Sequence, residues 1–260
     1  MITDNLMPYA GKLAVLYSGD AIDCYQQLAE KLAIPLRNSN EQGFAEHEQF
    51  FLTWRDGCLK LLDAELLKKG GLSVEIEPRA GEQRSWPAPK DGALAQALGR
   101  KTKTVVDTTT GWGQDSLHIF RMGYQLTCIE RSPIMAALLA DGFQRLEQLT
   151  WMQNLNLQAP QLLAGNAIEL LAGLQEAPDC IYLDPMFPPK RKKSALAKKA
   201  MVVLRELLGD DEDKAQLFAA AMAATAKRVV VKCPDYAEPL GGKPSSSYSG
   251  KLLRYDVYLK

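Results

Sequence analysis

The string in this chain with the most chemistry in it is Ile181-Tyr182-Leu183-Asp184-Pro185-Met186-Phe187-Pro188-Pro189. An apolar run leads straight into a carboxylate followed by prolines. Pro185 fixes its own φ, lacks an N–H donor and biases Asp184 toward extended geometry. Asp184 and the carbonyls beside it thus form a stiff set of hydrogen-bond acceptors. Phe187 offers a flat face on which a nucleobase can stack, worth about 1–3 kcal/mol. A second string is Val105-Val106-Asp107-Thr108-Thr109-Thr110-Gly111-Trp112-Gly113-Gln114-Asp115, an acid at the end of an apolar run followed by a loop with two glycines. Glycine serves where backbone must take unusual dihedrals or approach a ligand closely. Glu130 follows Asp107 by 23 residues and also ends an apolar run. A carboxylate there can accept both hydroxyls of a ribose; Arg131 could pair with it or lie along an adenine. Asn166, in Leu163-Ala164-Gly165-Asn166-Ala167, can cap the next helix and also reach an adenine edge.

These strings resemble two known patterns to different degrees. A dinucleotide site would place G-x-G-x-x-G after the strand, but the third position here is Ser116. The D-x-x-x-G-x-G form instead resembles the first motif of class I S-adenosylmethionine-dependent methyltransferases. The Asp184–Phe187 string resembles the [D/N]-P-P-[F/Y] motif of members that methylate exocyclic amines, with Met186 in place of the second proline. Such an amine is a poor nucleophile because its lone pair is delocalised into the ring. Acceptors that bind its N–H groups turn the lone pair toward the methyl carbon, so positioning provides much of the catalysis.

A basic run follows directly: Lys190, Arg191, Lys192, Lys193, then Lys198, Lys199 and Arg205, with no acid before Glu206. Beside a base pocket it would meet flanking phosphates, which position a nucleic acid without reading its sequence. Lys232, at the end of an apolar Val229-Val230-Val231 run, could face such phosphates or merely snorkel at a sheet edge. His47 and His118 are isolated, and His118 reads as helix packing.

The elements that must hold these residues follow from periodicity. Residues 1–78 read as a small α+β region: strands at 13–17, 50–54, 59–62 and 72–76, and a helix over 20–32 capped by Ser18 or Asp20. Asp56-Gly57 and Gly70-Gly71 mark turns. Residues 79–103 form a Pro/Gly-rich connection with a short helix near 93–98. From 104 onward strands alternate with helices: strands at 104–107, 124–130, 161–164, 180–183, 228–232 and 252–259, helices over 113–122, 133–149, 167–174 and 211–226. Ser132 and Pro133 open the second of these helices. The expected fold is α/β, a class I methyltransferase, Rossmann-like, doubly wound and mostly parallel sheet over 104–260. Ligands in such sheets bind at the carboxyl ends of the strands, near the point where strand order reverses.

Composition excludes other classes. No run of 18 apolar residues is present, and the N-terminal stretch has neither basic flank nor long apolar core, so neither a membrane helix nor a signal peptide is expected. Five scattered cysteines with no C-x-x-C pair argue against a disulfide framework and a metal site, and for a reducing, cytoplasmic setting. The 31 basic and 31 acidic residues cancel. That total would argue against a nucleic-acid partner, but it averages the local basic run with acids elsewhere, notably Asp210 to Asp213.

The string from Asp184 to Lys199, with Val229-Val230-Val231-Lys232-Cys233-Pro234-Asp235-Tyr236-Ala237, resembles the bacterial small-subunit ribosomal RNA guanine-N2 methyltransferase J family. The resemblance runs from about residue 72 to the C-terminus. It implies S-adenosylmethionine as methyl donor and one guanine of 16S ribosomal RNA, free or in the small subunit, as target. By position it implies Gln114, Asp115, Glu130, Arg131, Asn166, Ala167 and Asp184 as cofactor contacts. Beside them stand Asp107, Gly111 and Gly113 from the loop motif. Asp184, Pro185 and Phe187 are implied as the catalytic motif, and Lys190 to Lys193, Lys198, Lys199 and Lys232 as RNA contacts. Where the family has Asp-Ala-Thr-Ala-Gly-Leu-Gly-Arg-Asp, this chain reads Asp107 to Asp115 with Gln114 replacing the arginine, one positive charge fewer. Alternatives are a DNA or protein amino-methyltransferase, a non-catalytic RNA-binding assembly factor and, disfavoured by Ser116, an NAD-dependent oxidoreductase.

Overall fold

The computed structural model describes residues 11–19, 22–40, 48–63, 70–77, 86–187, 213–250 and 252–260. They divide into two compact units, one of residues 1–76 and 132–159, the other of residues 77–131 and 160–260.

The first unit carries a four-stranded sheet of order β2-β1-β3-β4: β1 Leu13–Tyr17, β2 Leu36–Asn38, β3 Phe50–Arg55 and β4 Cys58–Asp63. β1 runs parallel to both β2 and β3, while β3 and β4 form a hairpin. Asp56 and Gly57 turn that hairpin with φ of 56° and 74°, the left-handed pair that a two-residue loop demands. Helix α1 (Asp23–Leu32) buries Tyr25, Leu28, Ala29 and Leu32. Its N-cap is Ile22 with no side-chain cap bond, so Ser18 does not cap it; Asp20 lies outside the described residues. The strand expected over 72–76 shrinks to one bridge, Leu72 to Leu61. The reason lies in Val74: its carbonyl accepts from Arg145 Nη2 at 2.9 Å and its side chain abuts Gly142, so it is spent on a helix and not on a ladder. That helix, α4 (Pro133–Glu147 in chain order), opens as its sequence predicts, with Pro133 in the first turn and Ser132 Oγ accepting from Met135 N–H. A short α5 (Thr150–Asn154) follows.

The second unit is built on seven strands in the order β10-β11-β9-β8-β5-β6-β7. They are β5 Thr104–Asp107, β6 Gln125–Glu130, β7 Gln161–Ala164, β8 Cys180–Leu183, β9 Arg228–Pro234, β10 Ser246–Ser249 and β11 Leu253–Leu259. β5 to β9 pair in parallel, and only β11 runs against its neighbours. Parallel strands need crossovers, supplied here by α3 (Gln114–Arg121), α6 (Ala167–Ala172) and α7 (Lys214–Ala224); α2 (Gly92–Leu98) precedes the sheet. The run Cys180-Ile181-Tyr182-Leu183 is wholly buried, as a central strand covered on both faces should be. Ile181, Leu183, Val229, Val231 and Cys233 share one core with Leu171, Leu217 and Ala221 from the helices. Strand order reverses between β5 and β8, so Asp107 and Asp184 leave adjacent strand ends at the switch point.

Candidate active site

Two neighbouring cavities open at these strand ends, and Thr109, Gly111, Asp184 and Met186 line both. The smaller is walled by Glu130, Arg131, Asn166, Ala167 and Asp213. The larger, about 400 Å³, adds Gln114, Asp115, Phe187, Lys232 and Tyr236. Asp184 therefore stands at the junction of two compartments.

The loop from Asp107 to Gly113 is locked to both neighbouring strands. Thr108 N–H and Oγ1 donate to Tyr182 O at 3.0 and 3.1 Å. On the other side Thr110 Oγ1 donates to Ile129 O at 3.0 Å, and Gly111 N–H donates to Glu130 Oε2 at 2.8 Å. Gly111 and Gly113 sit at φ of 53° and 71°, and Gly113 is the N-cap of α3. A side chain at either would be strained, which explains the two glycines.

Asp107 is buried, its carboxylate accepting from Ser116 Oγ at 2.5 Å and from Thr109 N–H at 3.0 Å. Burial pushes its pKa up to about 7, against the lowering effect of those two donors and with Asp115 and Asp184 adding repulsion. Glu130 is only 4% exposed, which excludes a solvated Glu130–Arg131 surface pair. Arg131 turns instead to Asp213 at 3.2 Å. Asn166 Oδ1 accepts from Ile168 N–H at 2.9 Å and lines the smaller cavity, so its capping place and its place at the cavity coexist.

Asp184 is held at both ends. Its N–H donates to Thr109 Oγ1 at 2.6 Å, and its Oδ2 accepts from Lys232 Nζ at 2.8 Å. The same ammonium lies 2.7 Å from Asp115 Oδ2, which also accepts from Tyr182 Oη at 2.5 Å. Burial alone would pull the Lys232 ammonium down, but Asp184 and Asp115 outweigh it and hold its pKa above the ordinary lysine value. Tyr182 is pushed well up by burial and the same two acids. Phe187 lines the larger cavity while packing on the core, with Lys214 Nζ 5.3 Å from its ring centre. Pro185 is buried in the wall of the same cavity. Lys190, Arg191, Lys192, Lys193, Lys198, Lys199 and Arg205 lie outside the described residues, as do Pro188, Pro189 and His47.

Sequence reasoning missed three parts of this site. The Asp115–Lys232 pair spans 117 residues and leaves no local trace. Thr109 is the middle of three consecutive threonines, and nothing local marks it as the one whose Oγ1 accepts from Asp184 N–H. Arg254, on β11, pairs with the fully buried Asp256 at 3.0 Å and donates to the carbonyls of Pro234, Asp235 and Ala237. It thereby fixes the loop that carries Tyr236, 43% exposed, at the mouth of the larger cavity. An acid inside the apolar alternation of β11 was the available signal for that partner.

The donor set fits S-adenosylmethionine. A buried carboxylate, Glu130, suits ribose hydroxyls, and Ala167, Ile168 and Leu217 give the smaller cavity apolar walls for an adenine. Asp107, Asp115 and Asp184 surround the larger cavity with acceptors suited to a cationic sulfonium and ammonium end. Among the described residues no group of three or more His, Cys, Asp or Glu could hold a metal ion, and no helix is long and apolar enough to cross a membrane.

Comparisons with known proteins agree with this reading. Residues 35–260 match the SAM_MT family of SAM-dependent methyltransferases. The chain is 41% identical to the ribosomal RNA small subunit methyltransferase J of Shewanella amazonensis, covering 83% of this chain and 88% of that protein. It is 40% identical to the one from Tolumonas auensis, covering 87% and 92%, and 40% identical to the one from Aeromonas hydrophila, covering 85% and 91%. Among solved structures, a SAM-dependent methyltransferase from Neisseria gonorrhoeae superposes with a TM-score of 0.68 at 29% identity, covering 95% of each chain.

Proposed function

The chain belongs to the ribosomal RNA small subunit methyltransferase J family of S-adenosylmethionine-dependent methyltransferases, and from that premise we propose that it methylates the exocyclic N2 amine of a guanine in 16S ribosomal RNA. The observation that carries the reading is the place of Asp184 at the junction of the two cavities, rigid at both its backbone and its side chain. When bound, the cofactor supplies an electrophilic methyl group. Glu130 would hold its ribose and Asn166 would border its adenine, while Asp115 would face its methionine end. The larger cavity receives the guanine, which must leave its stack for its amine to reach the floor. Asp184 and the carbonyls beside it accept from the amine N–H groups and turn the nitrogen lone pair toward the methyl carbon. With the cofactor bound, the methyl–sulfur bond would break as the N–C bond forms, leaving a neutral thioether, and the proton the amine loses would pass to the Asp184 carboxylate. Phe187 provides an apolar wall for the base. Lys190 to Lys193, Lys198 and Lys199 contact the flanking phosphates.

Labelled cofactor incubated with the protein and with small ribosomal subunits or 16S RNA from cells lacking the activity tests this. Label should enter RNA, and Asp184→Ala should abolish transfer while leaving the fold intact. Transfer to DNA or to protein in preference to RNA would overturn the substrate class. Binding of the cofactor with no turnover on any acceptor would favour the assembly-factor reading.

A further inference from the structure

We propose that Lys232 is a positioning residue for methyl transfer, its ammonium bridging Asp115 at the start of α3 and Asp184 at the end of β8 so that the acceptor of the amine is set against the cofactor loop. The proposal rests on the role given to Asp184 above. The bridge follows from register. Leu183 pairs with Val231 between β8 and β9, so Asp184, leaving β8, lies beside Lys232, which is still in β9. The lysine side chain is 21% exposed, and its Nζ lies 2.7 Å from one carboxylate and 2.8 Å from the other. An ammonium committed to two acids at these distances is occupied inside the site, in contrast to a phosphate contact at a sheet edge. Tyr182 Oη, donating to the same oxygen of Asp115, holds that acid from below. Three elements, β8, β9 and α3, thus converge on one cation. Without it, Asp115 and Asp184 would face each other as like charges in the cavity wall, and the Asp184 carboxylate would lose the cation 2.8 Å from its Oδ2. A displaced catalytic group costs about 100-fold for a shift of ~1 Å.

The test compares Lys232→Met and Lys232→Arg with wild type in the full chain. It reads kcat and KM for the RNA at saturating S-adenosylmethionine, cofactor affinity by calorimetry, and Tm. K232M should lower kcat by about 100-fold, with the RNA KM and the cofactor Kd each within about threefold of wild type. K232R, whose planar head keeps the charge but not the geometry, should recover part of that loss and remain roughly tenfold below wild type. Wild-type kcat in K232M overturns the proposal. So does a raised RNA KM with unchanged kcat and a shallower salt dependence, which would make Lys232 a phosphate contact. If K232M does not fold, K232R alone decides, and a wild-type kcat there overturns the positioning role. An inactive wild type would instead refute the methyltransferase reading, so the two failures are distinguishable.

Discussion

Glu130 and Asp107 show how differently two buried carboxylates can serve one site. Glu130 has one oxygen fixed by Gly111 N–H and stands in the wall of the smaller cavity. Hydrogen bonds to a charged acceptor are worth roughly 1.5–3 kcal/mol, so Glu130→Ala should weaken S-adenosylmethionine binding by about 10- to 100-fold. Calorimetry checks this, and an unchanged Kd would remove the ribose role. Asp107 also lines the larger cavity, and its titration is dominated by burial. Burial raises its pKa from 3.8 to about 7, above its value in the unfolded chain. The folded state then holds a proton that the unfolded state has released, so stability falls as pH rises from about 4 to about 7. Urea midpoints of wild type should drop across that window by more than those of Asp107→Asn. Equal slopes would contradict the assignment. Asp107, Glu130 and Asp184 were legible in the sequence because each ends an apolar run, and a strand end at the switch point is where a polar residue has something to bind. Lys232 was visible only as a lysine after valines; its partner Asp115 lies on another element, and nothing local announces it.

At the scale of elements, strands that carry an apolar run were legible and those without one were not. β5 and β8 fall where their apolar runs and turn residues place them, because a strand buried in a sheet needs little else, and β7 does so too although it is a half-exposed edge strand. β10, Ser246–Ser249, has no apolar alternation, since it is an edge strand paired on one side only. β2 is three residues long and too short for any pattern. Residues 72–76 had the pattern of a strand, yet their burial serves α4. Arg254 ties elements together: it neutralises buried Asp256 on β11 and clamps the chain leaving β9. Removing it leaves a buried acid with Ser247 as its remaining donor. Arg254→Ala should therefore destabilise the protein by about 3 kcal/mol or more, as removing one partner of a buried pair does. It should also raise the RNA KM through the loosened Tyr236 loop. A loss of under ~1 kcal/mol in urea unfolding would contradict this.

For the whole molecule, a formal net charge of zero conceals an uneven distribution along the chain. Seven basic residues fall between 190 and 205 with no acid among them, directly after the Asp184 motif. RNA affinity should therefore fall with salt, by a slope of about 0.7 in log units for each phosphate neutralised on a single strand. Replacing Lys190, Arg191 and Lys192 by alanine should flatten that slope by about 2. An unchanged slope would place the phosphate contacts elsewhere. The proposed function joins this basic run to the carboxylate at the cavity junction: RNA would be held by its phosphates, and one guanine amine presented to Asp184. The most direct measurement is mass spectrometric mapping of 16S RNA after reaction with wild type and with Asp184→Ala. Wild type should make one N2-methylguanosine and the variant none. A methyl group on another base or another atom, or an undiminished product from Asp184→Ala, would contradict it.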